Sequence, residues 1–264
     1  MALGPPRKRF GQHFLVNPGV IDKIVAAIDP RADDRMVEIG PGRGALTGPL
    51  LDRLTRLEVI EVDRDLAATL KQTWPAERLA VHLCDALSFD FGALGSNLRV
   101  VGNLPYNIST PLLFHLVEHA ESIRDMYFML QREVVERMAA APATAAYGRL
   151  SVMLQYRFDI DALFTVSPGS FAPPPKVESA VVQLVPHALR HGTAANPGHF
   201  RRLVAQVFAQ RRKMLRKACG DVVPAGAWAA LDIDSQARGE DLAVSDFIRL
   251  SNYATISTSR GEKL

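Results

Sequence analysis

Cysteine is scarce: Cys84 and Cys219 are the only two in 264 residues. Such a pair builds no disulfide framework and points to a reducing compartment, so a cytoplasmic protein is expected. Long apolar runs are also missing. None approaches the roughly 18 residues that a spanning helix needs, so no membrane segment is expected. The stretch Met1 to Phe10 is basic with no apolar run behind it, and it is not read as a secretory signal. There are no internal repeats and no low-complexity tracts. The seven histidines are scattered and the cysteines lie far apart, so no metal site is expected. What is present is core-forming material. Hydrophobic residues make up 48% and charged residues 22%, which excludes a disordered or collagen-like chain and leaves room for one large domain or two modest ones.

Net charge is small as well, at +3, but its distribution is uneven. Residues 186–264 carry 12 Lys and Arg against 7 Asp and Glu, an excess of five positive charges. The first 185 residues carry 19 against 21, an excess of two negative charges. Asymmetry of this kind points to an anionic partner. The excess peaks in Arg201–Lys217, with seven basic residues and no acid. Leu203, Val204, Val207, Phe208 and Leu215 share one face if the stretch is a helix, leaving the basic groups to project elsewhere. A solvated surface helix ordinarily mixes signs to gain i,i+4 pairs; this one does not, which favours a phosphate-facing surface. A second basic cluster, Arg7-Lys8-Arg9, lies near the other terminus.

Apolar runs alternate with amphipathic stretches. Met36–Ile39, Leu57–Val62, Leu79–Cys84, Arg99–Val101 and Met126–Leu130 read as buried strands, and Ala45–Leu54, Leu66–Gln72 and Pro111–His119 as helices. This alternation predicts an α/β fold with a parallel sheet covered on both faces. Ala162–Val166 and Ala180–Val185 read as two closing strands, and Gly148–Gln155 as a helix inserted in the sheet domain. Pro186 through Pro197 reads as a linker to a small helical domain.

Val37-Glu38-Ile39-Gly40-Pro41-Gly42-Arg43-Gly44 follows a strand and opens a helix. Its glycines permit a tight turn and a close ligand approach, and the helix start offers free N–H groups. Gly40, Gly42 and Ala45 fit a dinucleotide fingerprint, and the loop fits a methyltransferase equally well. Glu61, at the tip of the next strand, is placed to accept ribose hydroxyls; Asp63 is the alternative. Neither acid separates the two readings. Asp85, after the third strand, would accept from an adenine amine or cap the following segment.

Gly102-Asn103-Leu104-Pro105-Tyr106-Asn107, at the end of the fourth strand, decides between them. An exocyclic adenine amine is a poor nucleophile, because its lone pair is delocalised into the ring. The Asn103 side-chain oxygen and the Leu104 carbonyl can each accept one of its N–H bonds, which favours a tetrahedral nitrogen aimed at a methyl sulfonium. Pro105 stiffens the loop, and Tyr106 offers a flat face to an extruded base. A dehydrogenase has no use for this arrangement.

Six segments together resemble the ribosomal RNA adenine N6-dimethyltransferase family, most closely its bacterial small-subunit branch. They are RKRFGQHFL at 7–15, VEIGPGRGALT at 37–47, VGNLPYNISTPLLFHL at 101–116, YGRLSVMLQY at 147–156, FAPPPKVESAVV at 171–182 and QRRKMLRK at 210–217. The resemblance implies a class I, Rossmann-like S-adenosylmethionine-dependent methyltransferase domain with a small C-terminal α-helical domain. The boundaries expected are 1–186, including the basic arm, and 187–264 for an RNA-binding helical domain. It implies S-adenosylmethionine as methyl donor, and as acceptors two adjacent adenosines in a hairpin loop near the 3′ end of 16S rRNA in the small ribosomal subunit. Cofactor contacts then fall on His13, Leu15, Gly40, Glu61, Asp85 and Asn103, with Gly42 in the glycine loop. The reacting base meets Asn103, Leu104 and Tyr106, with Phe171 as a second stacking aromatic. RNA contacts are expected at Arg7, Lys8, Arg9, Arg211, Arg212 and Lys213, in a monomer. The rival readings are a 23S rRNA adenine methyltransferase of the antibiotic-resistance type, which shares the asparagine loop, a mainly non-catalytic ribosome assembly factor, and third an N6-adenine DNA methyltransferase.

Overall fold

The computed structural model describes residues 12–259. The chain forms two compact units, one of Met1–Val135 with Asp159–Pro186 and the other of Glu136–Phe158 with His187–Leu264.

The first unit opens with a two-residue strand, β1 (Phe14–Leu15), and helix α1 (Pro18–Ile28). Asn17 caps α1 by accepting from the Val20 amide, and Pro18 fits the first helical position, where no donor is needed. Then come β2 (Arg35–Ile39), α2 (Thr47–Leu51), β3 (Leu57–Glu61), α3 (Arg64–Thr73), β4 (Leu79–Leu83), β5 (Leu98–Asn103), α4 (Ser109–Glu118), β6 (Ile123–Gln131) and α5 (Arg132–Met138). The larger sheet has the order β4-β3-β2-β5-β6, continued by β9 (Ser179–Pro186) and β7 (Phe158–Val166). Strands β2 to β6 run parallel, whereas β9 runs antiparallel to β6, so the sheet is mixed rather than wholly parallel. The strand β8 (Phe171–Ala172) leaves this sheet and pairs antiparallel with β1. The core gathers Ile24, Val25 and Ile28 of α1, Leu50 and Leu51 of α2 and Leu70 of α3 with Val59 of β3 and Val101 of β5. The chain order reverses at β2, between β3 and β5, and ligands of open α/β sheets bind beyond strand ends at such a point.

The second unit holds α6 (Arg149–Gln155), α7 (Pro197–Ala209), α8 (Leu215–Ala218), α9 (Ala227–Leu231) and α10 (Val244–Ser259). Two expectations need correction here. Helix α6 belongs to this unit and not to the sheet domain: it packs on α7, and the nearby Tyr156 hydroxyl accepts from the Ala194 amide. The basic stretch 201–217 is not one helix. Gln210 leaves helical geometry, with φ −120° and ψ 41°. Leu215 N–H donates to the Ala237 carbonyl, and Met214 bridges to Arg238, which turns the chain before α8.

Candidate active site

A cavity of about 310 Å³ in the first unit is walled by the glycine loop, the ends of β3 and β4, the asparagine loop and the segment around β1. Gly40 has a φ of +65°, and a Cβ there would meet no atom within 4 Å. It thus combines a left-handed turn with open space against which a ligand can lie. Behind the loop, the indole of Trp74 packs on Gly44 and Gly48.

Glu61 lies at the end of β3 and lines the cavity. Its Oε2 accepts from the Gly42 amide at 3.2 Å and its Oε1 from the Asp63 amide at 2.9 Å. Burial pushes its carboxyl upward, and these amides partly offset that effect. Asp63, the alternative acid, instead caps α3 by accepting from the Asp65 amide. Asp85 has both of the expected properties: it caps a short turn by accepting from Leu87 N–H at 2.9 Å, and it lines the cavity.

One acidic wall residue was missed in the sequence. Glu38 on β2 is 2% exposed and accepts from the Thr47 hydroxyl at 2.7 Å. Burial, reinforced by the nearby Glu61 charge, pushes its carboxyl up to about 7 despite the Thr47 bond. The signal was its place just before the glycine loop, with a hydroxyl nine residues further on.

The asparagine loop is fixed from three sides. A Cβ at Gly102 would lie 2.6 Å from the Ile39 carbonyl oxygen, so only glycine lets the strand end approach the glycine loop this closely. The Leu104 amide donates to the Met129 carbonyl at 3.2 Å. Asn103 Nδ2 donates to the His13 carbonyl at 3.0 Å. The Tyr106 hydroxyl bonds the Ser179 hydroxyl at 2.7 Å, and its ring stacks on the His13 imidazole with centroids 5.7 Å apart. Burial raises the Tyr106 phenol, which stays neutral.

The fold thus brings His13, Leu15, Gly40, Gly42, Glu61, Asp85, Asn103, Leu104 and Tyr106 to one cavity wall. Phe171 is the exception. It is 4% exposed, pairs with Leu15 across β1 and β8, and packs in the hydrophobic core behind the cavity lining. Among the basic residues, Arg7, Lys8 and Arg9 lie outside the described residues. Arg211 is engaged within the second unit: Nε meets Glu240 at 2.7 Å, and Nη2 donates to the Ala145 and Tyr147 carbonyls at 2.7 and 2.8 Å. That is a structural clamp, although the Arg211 side chain is still 41% exposed. Arg212 and Lys213 are exposed on the turn after α7. Among the described residues, no group of three or more His, Cys, Asp or Glu side chains is placed to hold a metal ion.

The donor set fits a nucleoside-bearing sulfonium: an open glycine turn, a carboxylate at each of two strand ends and apolar walls. Comparison with known proteins agrees. The family model described as ribosomal RNA adenine dimethylase matches residues 5–255. The chain is 56% identical over 248 residues to the ribosomal RNA small subunit methyltransferase A of Thiobacillus denitrificans, covering 94% of this chain and 97% of that one. It is 53% identical over 252 residues to the protein of the same name from Bordetella bronchiseptica, covering 96% and 95%. Among solved structures, a dimethyladenosine transferase from Plasmodium falciparum superposes with a TM-score of 0.79 at 27% identity, covering 94% of this chain and 98% of that one. The 23S rRNA methyltransferase ErmE shares the fold at a TM-score of 0.68 and 24% identity, covering 92% and 99%. On the family match and these near full-length relatives, the chain belongs to the ribosomal RNA adenine dimethylase family.

Proposed function

We propose that this chain dimethylates N6 of two adjacent adenosines in a hairpin loop near the 3′ end of 16S rRNA, with S-adenosylmethionine as donor. The observation that carries this reading is the asparagine loop at the wall of the cofactor cavity, where Asn103 and Tyr106 stand together. Gly40, Gly42, Glu61 and Asp85 would hold the cofactor, with His13 and Leu15 beside them. S-adenosylmethionine supplies an electrophilic methyl group. Asn103 Oδ1 and the Leu104 carbonyl accept the two N–H bonds of the target amine and turn its lone pair outward from the ring plane. Tyr106 gives the flipped base a stacking surface. The amine gains positive charge as it attacks and loses its proton afterwards, so the chain needs no strong base. Its contribution is positioning. In the second round, rotation about C6–N6 releases one acceptor contact to the first methyl group.

Arg212, Lys213 and the arm at Arg7, Lys8 and Arg9 are the proposed RNA contacts of a cytoplasmic monomer. Identities of 56% and 53% to small-subunit relatives, against 24% to the 23S rRNA enzyme, favour the small subunit as substrate. The test is transfer of labelled methyl groups to undermethylated small subunits, large-subunit RNA or DNA, with product mapping. Asn103→Ala should keep cofactor affinity and lose on the order of 100-fold in turnover, because the amine is no longer oriented. Normal turnover in that variant defeats the mechanism.

A further inference from the structure

Asn103 can serve the amine only if its amide is the right way round. Its Nδ2 faces the main-chain carbonyl of His13 at 3.0 Å. A carbonyl only accepts, so the amide nitrogen must point there, and the oxygen is the atom left for the substrate. Flipped, the amide would set two acceptors against each other. The orientation is therefore as firm as the His13 carbonyl, and that carbonyl is held on several sides. His13 Nδ1 bonds the Pro173 carbonyl at 2.9 Å, which also fixes the proton on Nδ1. Phe14 pairs with Ala172 and Leu15 with Phe171, and Val16 N–H donates to the Ser170 carbonyl at 2.9 Å. The ring of Phe14 lies where a Cβ on Gly42 would come within 3.2 Å of it, and the Arg43 guanidinium sits 4.4 Å from its centroid. The imidazole of His13 lies along the Tyr106 ring. One residue thus touches both groups proposed to receive the base.

We infer that His13 is a positioning residue for the acceptor side of the reaction: strapped to the Pro173 loop, it sets the Asn103 amide and steadies Tyr106. The inference rests on the proposed methyl transfer and deepens it, since the resemblance alone gives His13 a cofactor contact. A cofactor contact lowers affinity for the donor when removed. A positioning residue lowers turnover at saturating donor.

The experiment uses the full chain and compares wild type with His13→Ala and His13→Asn. Asn retains a side-chain donor for the Pro173 carbonyl. Three quantities are read: methyl transfer to undermethylated small subunits at saturating S-adenosylmethionine, the Kd for S-adenosylmethionine by calorimetry, and the side-chain amide resonances of Asn103, assigned by their loss in Asn103→Ala. His13→Ala should reduce kcat about tenfold or more with Kd changed less than about twofold, and it should shift the Asn103 amide resonances. His13→Asn should restore most of the turnover and the wild-type resonances. A raised Kd with unchanged kcat, or unmoved Asn103 resonances in His13→Ala, overturns the inference. Absence of turnover in wild type would defeat the functional reading instead, and the resonances would still decide the role of His13.

Discussion

Glu38 shows how much one side chain can carry while leaving little trace in the sequence. Its carboxyl ordinarily titrates near 4.5; in the cavity wall it is pushed up to about 7. Between these values the folded chain keeps a proton that the unfolded chain releases, so stability falls as pH rises from 4.5 to 7 and levels off above. Glu38→Gln cannot ionise, and its amide oxygen can still accept from Thr47. The variant should therefore gain about 1–3 kcal/mol over wild type by pH 7, with the advantage vanishing near pH 4.5. Melting temperatures of both proteins across this range check the sign. At this scale the shared location of a site was legible in the sequence where chemistry needs a rare residue type in a fixed place: Asn103, Tyr106 and Glu61 all line one cavity. The sequence left two readings open where a residue has two ordinary uses. Phe171 stands before three prolines, which suits a stacking aromatic as well as a packing anchor, and its burial in the core displays the packing use. For His13 the resemblance gave a cofactor contact and no hint of a link to Asn103, because the bond runs from the Asn103 amide to the His13 main-chain carbonyl, a group that every residue type carries.

At the scale of elements, the basic run after α7 divides by what each side chain meets. Arg211, Arg212 and Lys213 are all exposed, but Arg211 is tied to Glu240 and two carbonyls. Charge reversal of the pair Arg212→Glu and Lys213→Glu should weaken RNA binding and reduce the slope of log K against log salt by roughly one for each phosphate no longer neutralised, with the melting temperature held. Arg211→Ala should do the reverse, lowering the melting temperature by removing a clamp between the turn, Glu240 and the segment before α6. Filter binding over a salt series and thermal melts separate the two. Strands β2 to β6 were readable because a short, continuous apolar run between two helical periods fits a buried parallel strand and little else. The break at Gln210 was not. Val207 and Phe208 before it and Met214 and Leu215 after it keep a seven-residue apolar spacing that a continuous helix would also show, and the turn rests on a distant pairing of Met214 with Arg238.

The whole molecule is a sheet unit whose far end is tied by one arginine and a helical unit assembled from two separated stretches of chain. Arg99 is 3% exposed; it bonds Asp125 at 2.9 Å and Asp34 at 2.7 Å and donates to the Ile28 carbonyl at 2.6 Å and the Asp29 carbonyl at 3.3 Å. Arg99→Met leaves the buried Asp125 and the half-buried Asp34 with the exposed Arg124 as their remaining cation and should cost about 3 kcal/mol, the low end for breaking a buried pair, in chemical denaturation at neutral pH. The α/β character was evident from the alternation of strands and helices. The recruitment of 136–158 to the helical unit was not, since no change of composition marks where chain leaves one body and returns. The chain contains two tryptophans, Trp74 and Trp228. The second belongs to the helical unit, and the first lies against Gly44 and Gly48, on the reverse of the loop that faces the ligand. The protein therefore carries an intrinsic optical gauge of its own glycine turn: with Trp228 replaced by phenylalanine, indole emission reads the state of that turn alone, without any label.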